Sequence, residues 1–189
     1  GYEFGINTVN LKGRNLNWTS DFNISFNKNE VLSLPSGQLI YSMRPGHIIG
    51  DETHLLIEGS PAGSFYGYIY DGVNPEDGSP IYRDIAGRDA DNNLVMEPDG
   101  KVNSNDRVII GNPHPDFIFG FNNTFSYKNF DLNIFFQGVV GNDMLNFTRM
   151  ELEWVNGKGN QMATVLNRWT PTNTNTDIPK ASSTYSSIA

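Results

Sequence analysis

An acidic stretch in the middle of the chain has the spacing of a hard-cation site. The stretch matches the second half of a calcium loop, with Gly100 at the sharp turn. Its ligands would be Asp99, the carbonyl of Lys101, Asn103 and Asp106. Calcium requires oxygen ligands at alternating positions and a terminal acid. A calcium site is therefore one interpretation of this stretch.

The first half of the same loop does not fit calcium. Val95 stands where the loop has its first acid and Glu97 where its third-position ligand belongs, while Asp89 and Asp91 reach the site only through an insertion. The other interpretation is a glycine turn followed by an Asp-capped strand entry. Because a missing carboxylate lowers both charge and ligand count, we expect no tightly held ion and no cofactor.

Four tyrosines among glycines are the candidate substrate-binding residues: Tyr66, Tyr68, Tyr70 and Tyr82. Rings with polar tips suit sugars or peptides, which present one apolar and one hydrogen-bonding surface. The alternative is that these rings anchor a large loop against the rest of the protein or a partner.

No catalytic constellation emerges, so we predict that the chain is not an enzyme. It has no cysteine, and His47 and His54 are too far apart in a loop to form a metal signature, while His114 lies between two prolines. No nucleophile is paired with a histidine, and no pair of acids is placed specifically. The net charge of −8 argues against nucleic acid as a partner.

Four stretches alternate between apolar and polar residues with the period of two that strands require. They cover residues 2–12, 17–28, 116–128 and about 130–138. Tight turns at 12–15 and 128–129 join them into two hairpins. We predict that the last three strands are antiparallel and place one set of apolar side chains on a common surface: Phe22, Ile24, Phe26, Phe117, Phe119, Phe121, Leu132 and Ile134.

The chain is therefore expected to be all-β, with hairpin one at 1–28, a long segment at 29–115, hairpin two at 116–138 and a second long segment at 139–189. Short turns at one end and long excursions at the other are typical of outer-membrane barrels. Trp18, Tyr127 and Phe130 lie near the short turns, where a barrel has its aromatic girdle. The alternative is a soluble, secreted β-sandwich that binds glycans, in which a second sheet would bury the phenylalanine face.

Both long segments should have structure of their own. Residues 29–115 carry too much apolar area for a solvated coil, and short strands are expected near 64–72 and 106–111. The spacing over 144–167 indicates a short surface helix that ends at the Asn-Gly-Lys-Gly sequence 156–159. No apolar run approaches the roughly 20 residues of a membrane helix.

Four runs, in this order, resemble landmarks of the SusC/RagA family of TonB-dependent outer-membrane transporters. They are EGSPAGSFYGYIYDGV at 58–73, DGKVNSNDRVIIGNPHPDFIFGF at 99–121, FQGVVGND at 136–143 and RWTPTN at 168–173 followed by Pro179. Together they cover nearly the whole chain.

The resemblance implies a 22-stranded transmembrane β-barrel in the bacterial outer membrane, with a plug domain in its lumen. It also implies a SusD-like surface lipoprotein, energy from the TonB complex, and oligosaccharides or peptides as substrates. The strands would face the lipid bilayer. With no plug, TonB box or closing strand recognisable, we expect a fragment from the C-terminal half of the barrel.

Overall fold

The computed structural model describes residues 1–35, 39–42, 52–89, 93–155 and 159–182, so His47, Asp91 and residues 156–158 lie outside the described residues. Within these ranges the regular secondary structure is mainly β, as predicted, and no helix there is long and apolar enough to span a membrane. The strands are β1 (Tyr2–Lys12), β2 (Leu16–Phe26), β3 (Ile40–Ser42), β4 (His54–Leu56), β5 (Ser64–Gly67), β6 (Tyr70–Val73), β7 (Pro80–Tyr82), β8 (Gly87–Arg88), β9 (Leu94–Val95), β10 (Val108–Gly111), β11 (Phe117–Tyr127) and β12 (Phe130–Val140).

The chain divides into two compact units. The first comprises Gly1–Gly37, Ile57–Ala62 and Gly111–Met144, and the second comprises Gln38–Leu56, Gly63–Ile110 and Leu145–Ala189.

The first unit is built on a four-stranded antiparallel sheet in the order β1-β2-β11-β12. Each of these strands has 11 residues. The two-residue turn between β11 and β12 starts at Lys128, whose φ of 53° is of the kind that primed hairpin turns require. The predicted antiparallel pairing and both tight turns are confirmed.

The predicted common apolar surface is also confirmed by the register. Phe22 lies opposite Phe121 and Ile24 opposite Phe119 across the β2–β11 pair. Phe121 in turn lies opposite Phe136 of β12. Gly138 lies beneath the Phe119 ring, and a Cβ at this position would collide with it.

This sheet leaves much of its apolar face exposed, and the two polar side chains that it buries, Ser20 and Asn123, are cross-strand partners on that same face. The apolar side chains of the outer strands are exposed, for example Phe4 at 61% and Phe130 at 77%. The buried side chains are polar: Asn123 accepts hydrogen bonds from Trp18 Nε1 at 3.0 Å and from Ser20 Oγ at 2.7 Å. Because these groups satisfy one another, their burial carries no large desolvation penalty.

The second unit has a conventional apolar core around short strands. β10, β5, β4 and β3 form one sheet in that order, while β6 pairs with β7 and β8 with β9. The core includes Leu55, Phe65, Ile85, Val108 and Val165. The predicted strands near 64–72 and 106–111 are present, the first of them split into β5 and β6.

The predicted surface helix is shorter than the spacing indicated. The helix, α1, spans Phe147–Leu152, and the backbone N–H of Met162 then donates to the carbonyl of Leu152 at 3.0 Å. Asn146 caps the first turn by accepting from the backbone N–H of Arg149. The helix therefore ends before the glycines that were expected to end it, and a 3₁₀ turn is present at Ala163–Asn167.

Candidate functional site

Three of the four predicted tyrosines form one aromatic cluster on the β6–β7 hairpin. Tyr70 and Tyr82 are cross-strand partners whose ring centroids lie 5.8 Å apart. Tyr68, just before β6, packs on Tyr82 at 5.6 Å. The hairpin brings these rings together because partners across an antiparallel pair point to the same side.

Tyr66 lies apart from this exposed cluster, in the interior of the second unit. It is 9% exposed, and the guanidinium of Arg107 lies 4.5 Å from its ring centroid. The same guanidinium is 5.9 Å from the Tyr68 ring, so Arg107 links the two tyrosines. Burial, together with the hydroxyl of Tyr41, raises the pKa of Tyr66 to about 12. These contacts are of the kind expected if the tyrosines anchor the loop, which is the alternative considered for them.

A cleft of about 760 Å³ opens beside Tyr70 and Tyr82. Its other walls are Arg149 and Glu153 at α1 and the segment 177–179. The cleft falls in the size range of small-molecule sites, and Tyr70 remains 41% exposed at its edge.

Charged pairs surround the aromatic surface of the cleft. Arg83 donates to both carboxylate oxygens of Asp71, at 3.0 and 2.6 Å, and these hydrogen bonds lower the pKa of Asp71. Arg149 donates to Glu153 at 2.7 Å across one helical turn. The cleft thus offers aromatic faces for stacking beside the charged groups of Asp71, Arg149 and Glu153, a combination that suits sugar and peptide ligands.

The C-terminal segment is held against the hairpin by a tryptophan. The indole of Trp169 lies against Gly78, where a Cβ would collide with the ring. Trp169 Nε1 donates to the carbonyl of Pro75 at 3.1 Å, and the Lys180 N–H donates to Gly78 at 2.9 Å. Tyr70 adds a hydrogen bond from its hydroxyl to the carbonyl of Asp177 at 2.8 Å.

These walls of the cleft were not identified from the sequence. The contacts join residues about 70 to 110 positions apart, and no local pattern encodes such a pairing. The available signal was Trp169, a large ring in a Thr/Asn-rich stretch that belongs to the last of the four family-like runs.

The acidic loop is held by hydrogen bonds within the protein. Asp106 is 1% exposed and accepts from the backbone N–H of Ile85 and of Asn103, both at 2.6 Å. Asn103 in turn accepts from the backbone N–H of Asn105 at 2.9 Å, which completes a capping box. This arrangement has the Asp-capped form of the second interpretation.

The glycine turn in the same loop is also braced by carboxylates. Asp99 accepts from the Lys101 N–H at 2.8 Å, and Asp84 accepts from the N–H groups of Asp99 and Gly100, both at 2.9 Å. Val95 lies in β9, so a strand occupies the place of the loop's first acid. In the part of the chain that the structure describes, no three His, Asp or Glu side chains are grouped to hold a metal ion.

The two described histidines have structural contacts. His54 packs edge-on against Phe65 at 5.1 Å, and burial lowers its pKa. His114 Nε2 lies 2.8 Å from the carbonyl of Ala62. Both contacts tie short segments of their own unit together.

The chain is similar to several curated receptors. It is 43% identical to TonB-dependent receptor P3 of Formosa agariphila, with 95% of this chain and 18% of that protein covered. It is 28% identical to TonB-dependent receptor SusC of Bacteroides thetaiotaomicron, with 75% and 14% covered. The chain thus spans less than a fifth of the length of these relatives. No family model matches it.

Solved structures agree with the sequence relatives. The chain matches the RagAB peptide transporter with a TM-score of 0.75 and 26% identity, over 95% of this chain and 19% of that one. Relatives and structure point to the same group of proteins that the four sequence runs resemble. The chain belongs to the SusC/RagA family of TonB-dependent receptors.

Proposed function

We propose that this chain is part of a bacterial outer-membrane receptor that imports oligosaccharides or peptides with energy from the TonB complex and with a SusD-like surface lipoprotein. β1, β2, β11 and β12 belong to the wall of a 22-stranded transmembrane barrel. Residues 29–115 and 139–189 are extracellular loops. The observation that carries this proposal is the exposure of the apolar side chains on the outer strands of the first unit's sheet.

The dimensions of the long strands support a membrane location. A strand of 11 residues at about 3.4 Å per residue, tilted by roughly 40°, covers about 29 Å along the membrane normal. This matches the hydrocarbon thickness of a bilayer. Trp18, stacked on Phe125 with ring centroids 5.4 Å apart, and the exposed Phe130 lie at the short-turn end, where an aromatic girdle belongs.

The cleft at Tyr70 and Tyr82 supports a role in substrate capture. RagAB, whose solved structure this chain resembles, is a peptide transporter. Stacked tyrosine rings suit the faces of sugars as well as the side chains of peptides. Both substrate classes therefore remain within the proposal.

The rival function, a soluble glycan-binding β-sandwich, requires the phenylalanine face to be covered by a second sheet. Instead, Phe4 and Phe136 are exposed by more than half. In water, an apolar surface of this extent would drive association. The exposure therefore favours the membrane.

The test uses the full-length receptor in its own host. Deleting its gene should abolish growth on the oligosaccharide or peptide that it imports, identified from a panel of both classes. Replacing Tyr70 and Tyr82 by Ala should then weaken binding of that substrate to the purified receptor about 2- to 13-fold per ring, since each lost stacking contact costs about 0.5–1.5 kcal/mol. Leu166→Ala, which removes an exposed apolar side chain elsewhere in the second unit, is the matched control.

Two results would contradict the proposal. If deletion leaves uptake of every panel member unchanged, the import function is wrong. If uptake is lost on deletion but the tyrosine variants bind as tightly as Leu166→Ala, the receptor imports but this cleft is not where the substrate binds.

A further inference from the structure

The short-turn end of the first unit's sheet is positively charged. Arg14 and Lys128 lie in the two turns, and Lys12 is the last residue of β1. The turns lie side by side, because the Lys128 N–H donates to the carbonyl of Asn15 at 3.0 Å. All three cationic residues are exposed. They are called the basic rim below.

The positive charge at the turns contrasts with the net negative charge of the whole chain. The net charge is −8, yet no Asp or Glu occurs at residues 4–20 or 117–130, the stretches that contain both turns. The closest acid to these turns along the chain is Asp131, opposite Ser126 on the polar face of the sheet. The basic rim therefore presents cations with no acid in either turn.

The basic rim borders the apolar face at its aromatic end. Lys128 Nζ lies 5.2 Å from the centroid of the Tyr127 ring. Tyr127 is the cross-strand partner of Phe130, and Trp18 is the partner of Phe125. Exposed aromatic rings next to cations on long flexible stems are the combination found at a lipid–water boundary.

We propose that the basic rim binds the phosphate-bearing headgroups of anionic phospholipids in the leaflet next to the short turns. Arg14 and Lys128 supply the main contacts. Lys12 contributes mainly through its charge, because its side chain lies on the polar face of the sheet, opposite Asn17. Trp18, Tyr127 and Phe130 lie alongside the glycerol and upper acyl region of the same lipids. The inference rests on the proposed membrane location.

Charge complementarity selects a lipid over other occupants. A soluble phosphate compound would make no use of the adjoining exposed rings, whereas an anionic lipid engages cation and ring together. The preference for anionic lipid should weaken as the salt concentration rises, because salt screens exposed cations. Near an anionic surface each cation accounts for about a five-fold preference.

The experiment measures which lipids stay with the full-length receptor. The receptor is purified in mild detergent from a defined mixture of phosphatidylglycerol and phosphatidylethanolamine, and bound lipid is counted by native mass spectrometry. We expect several-fold enrichment of phosphatidylglycerol that falls at high salt. The triple variant K12Q/R14Q/K128Q should lose it, and K12Q alone should have the smallest single effect.

The matched control K28Q/K101Q/K180Q removes the same charge away from the turns and should keep the enrichment. No enrichment in the unaltered receptor, or equal enrichment in the triple variant, would overturn the inference. Heat-dependent gel mobility, which distinguishes folded barrels, is recorded on every sample. A receptor that is not an embedded barrel refutes the proposed function, whereas an embedded one without lipid preference refutes only this inference.

Discussion

Replacing Asp106 by Asn removes the charge of the most deeply buried acid among the residues that the structure describes, while keeping its shape. In the native protein its two carboxylate oxygens each accept one backbone N–H, from Ile85 and from Asn103, at 2.6 Å. An amide has one acceptor oxygen, so one of the two N–H groups must face an NH₂ group instead. The side chain is 1% exposed, so water does not replace the lost partner.

The size of the effect follows from these two bonds. A hydrogen bond to a charged group contributes about 1.5–3 kcal/mol, so losing one costs roughly 2 kcal/mol in the free energy of local opening. That cost corresponds to about 30-fold faster amide exchange. Asp106→Ala loses both bonds and should cost more.

Hydrogen–deuterium exchange on the full-length receptor measures this directly, at the amides of Ile85 and Asn103. The control is Asp99→Asn in the same loop. The exposed carboxylate of Asp99 accepts from one N–H, so this substitution should change the amide exchange rate only about two-fold. If Asp106→Asn changes exchange no more than Asp99→Asn does, the loop is not held by this carboxylate and the reasoning fails.

Three further predictions concern the same unit. Gly78→Ala should displace the Trp169 ring and shift its fluorescence emission maximum to longer wavelength. The control is Gly100→Ala, where φ is similarly positive but the space is open, so the substitution should only add about 1 kcal/mol of backbone strain. Tyr66 has a pKa raised to about 12 and stays protonated in the folded protein, whereas an unfolded tyrosine ionises near 10. The free energy of unfolding should therefore fall as pH rises from 10 through 12. Tyr66→Phe should remove that fall in an alkaline denaturation series. Calorimetric titration with calcium should show no micromolar binding; binding at that affinity that is lost in Asp106→Ala would establish the calcium interpretation instead.

The long strands could be predicted because their signal is local and repeated. Phe22, Ile24 and Phe26 alternate with polar residues over one strand, and the same alternation recurs in β11 and β12. Alternation fixes both strand and face, and the face in turn fixes the register. The bulge between Val9 and Leu11 was not predicted, although the apolar positions of β1 change there from even (Phe4, Ile6) to odd (Leu11), which is the shift that one inserted residue produces.

The second unit was harder to predict because its elements are too short to carry a period. β8 and β9 have two residues each, and α1 has six. Their positions depend on contacts between distant residues, such as Trp169 with Gly78 and Asp106 with Ile85. The tyrosines were recognisable by type, but which of them are exposed depends on Arg107, whose contacts no local pattern indicates.

The two units of this chain follow opposite rules of burial. Among the described residues, every buried hydrophobic side chain lies in the second unit, for example Leu55 and Ile85. In the first unit the apolar side chains of the outer strands are exposed, and Ser20 and Asn123 are buried in a hydrogen-bonded network. Burying apolar surface stabilises a fold only where the alternative environment is water. Under the proposed function, the two patterns suit two environments, and the apolar face of the first unit is the part in contact with lipid.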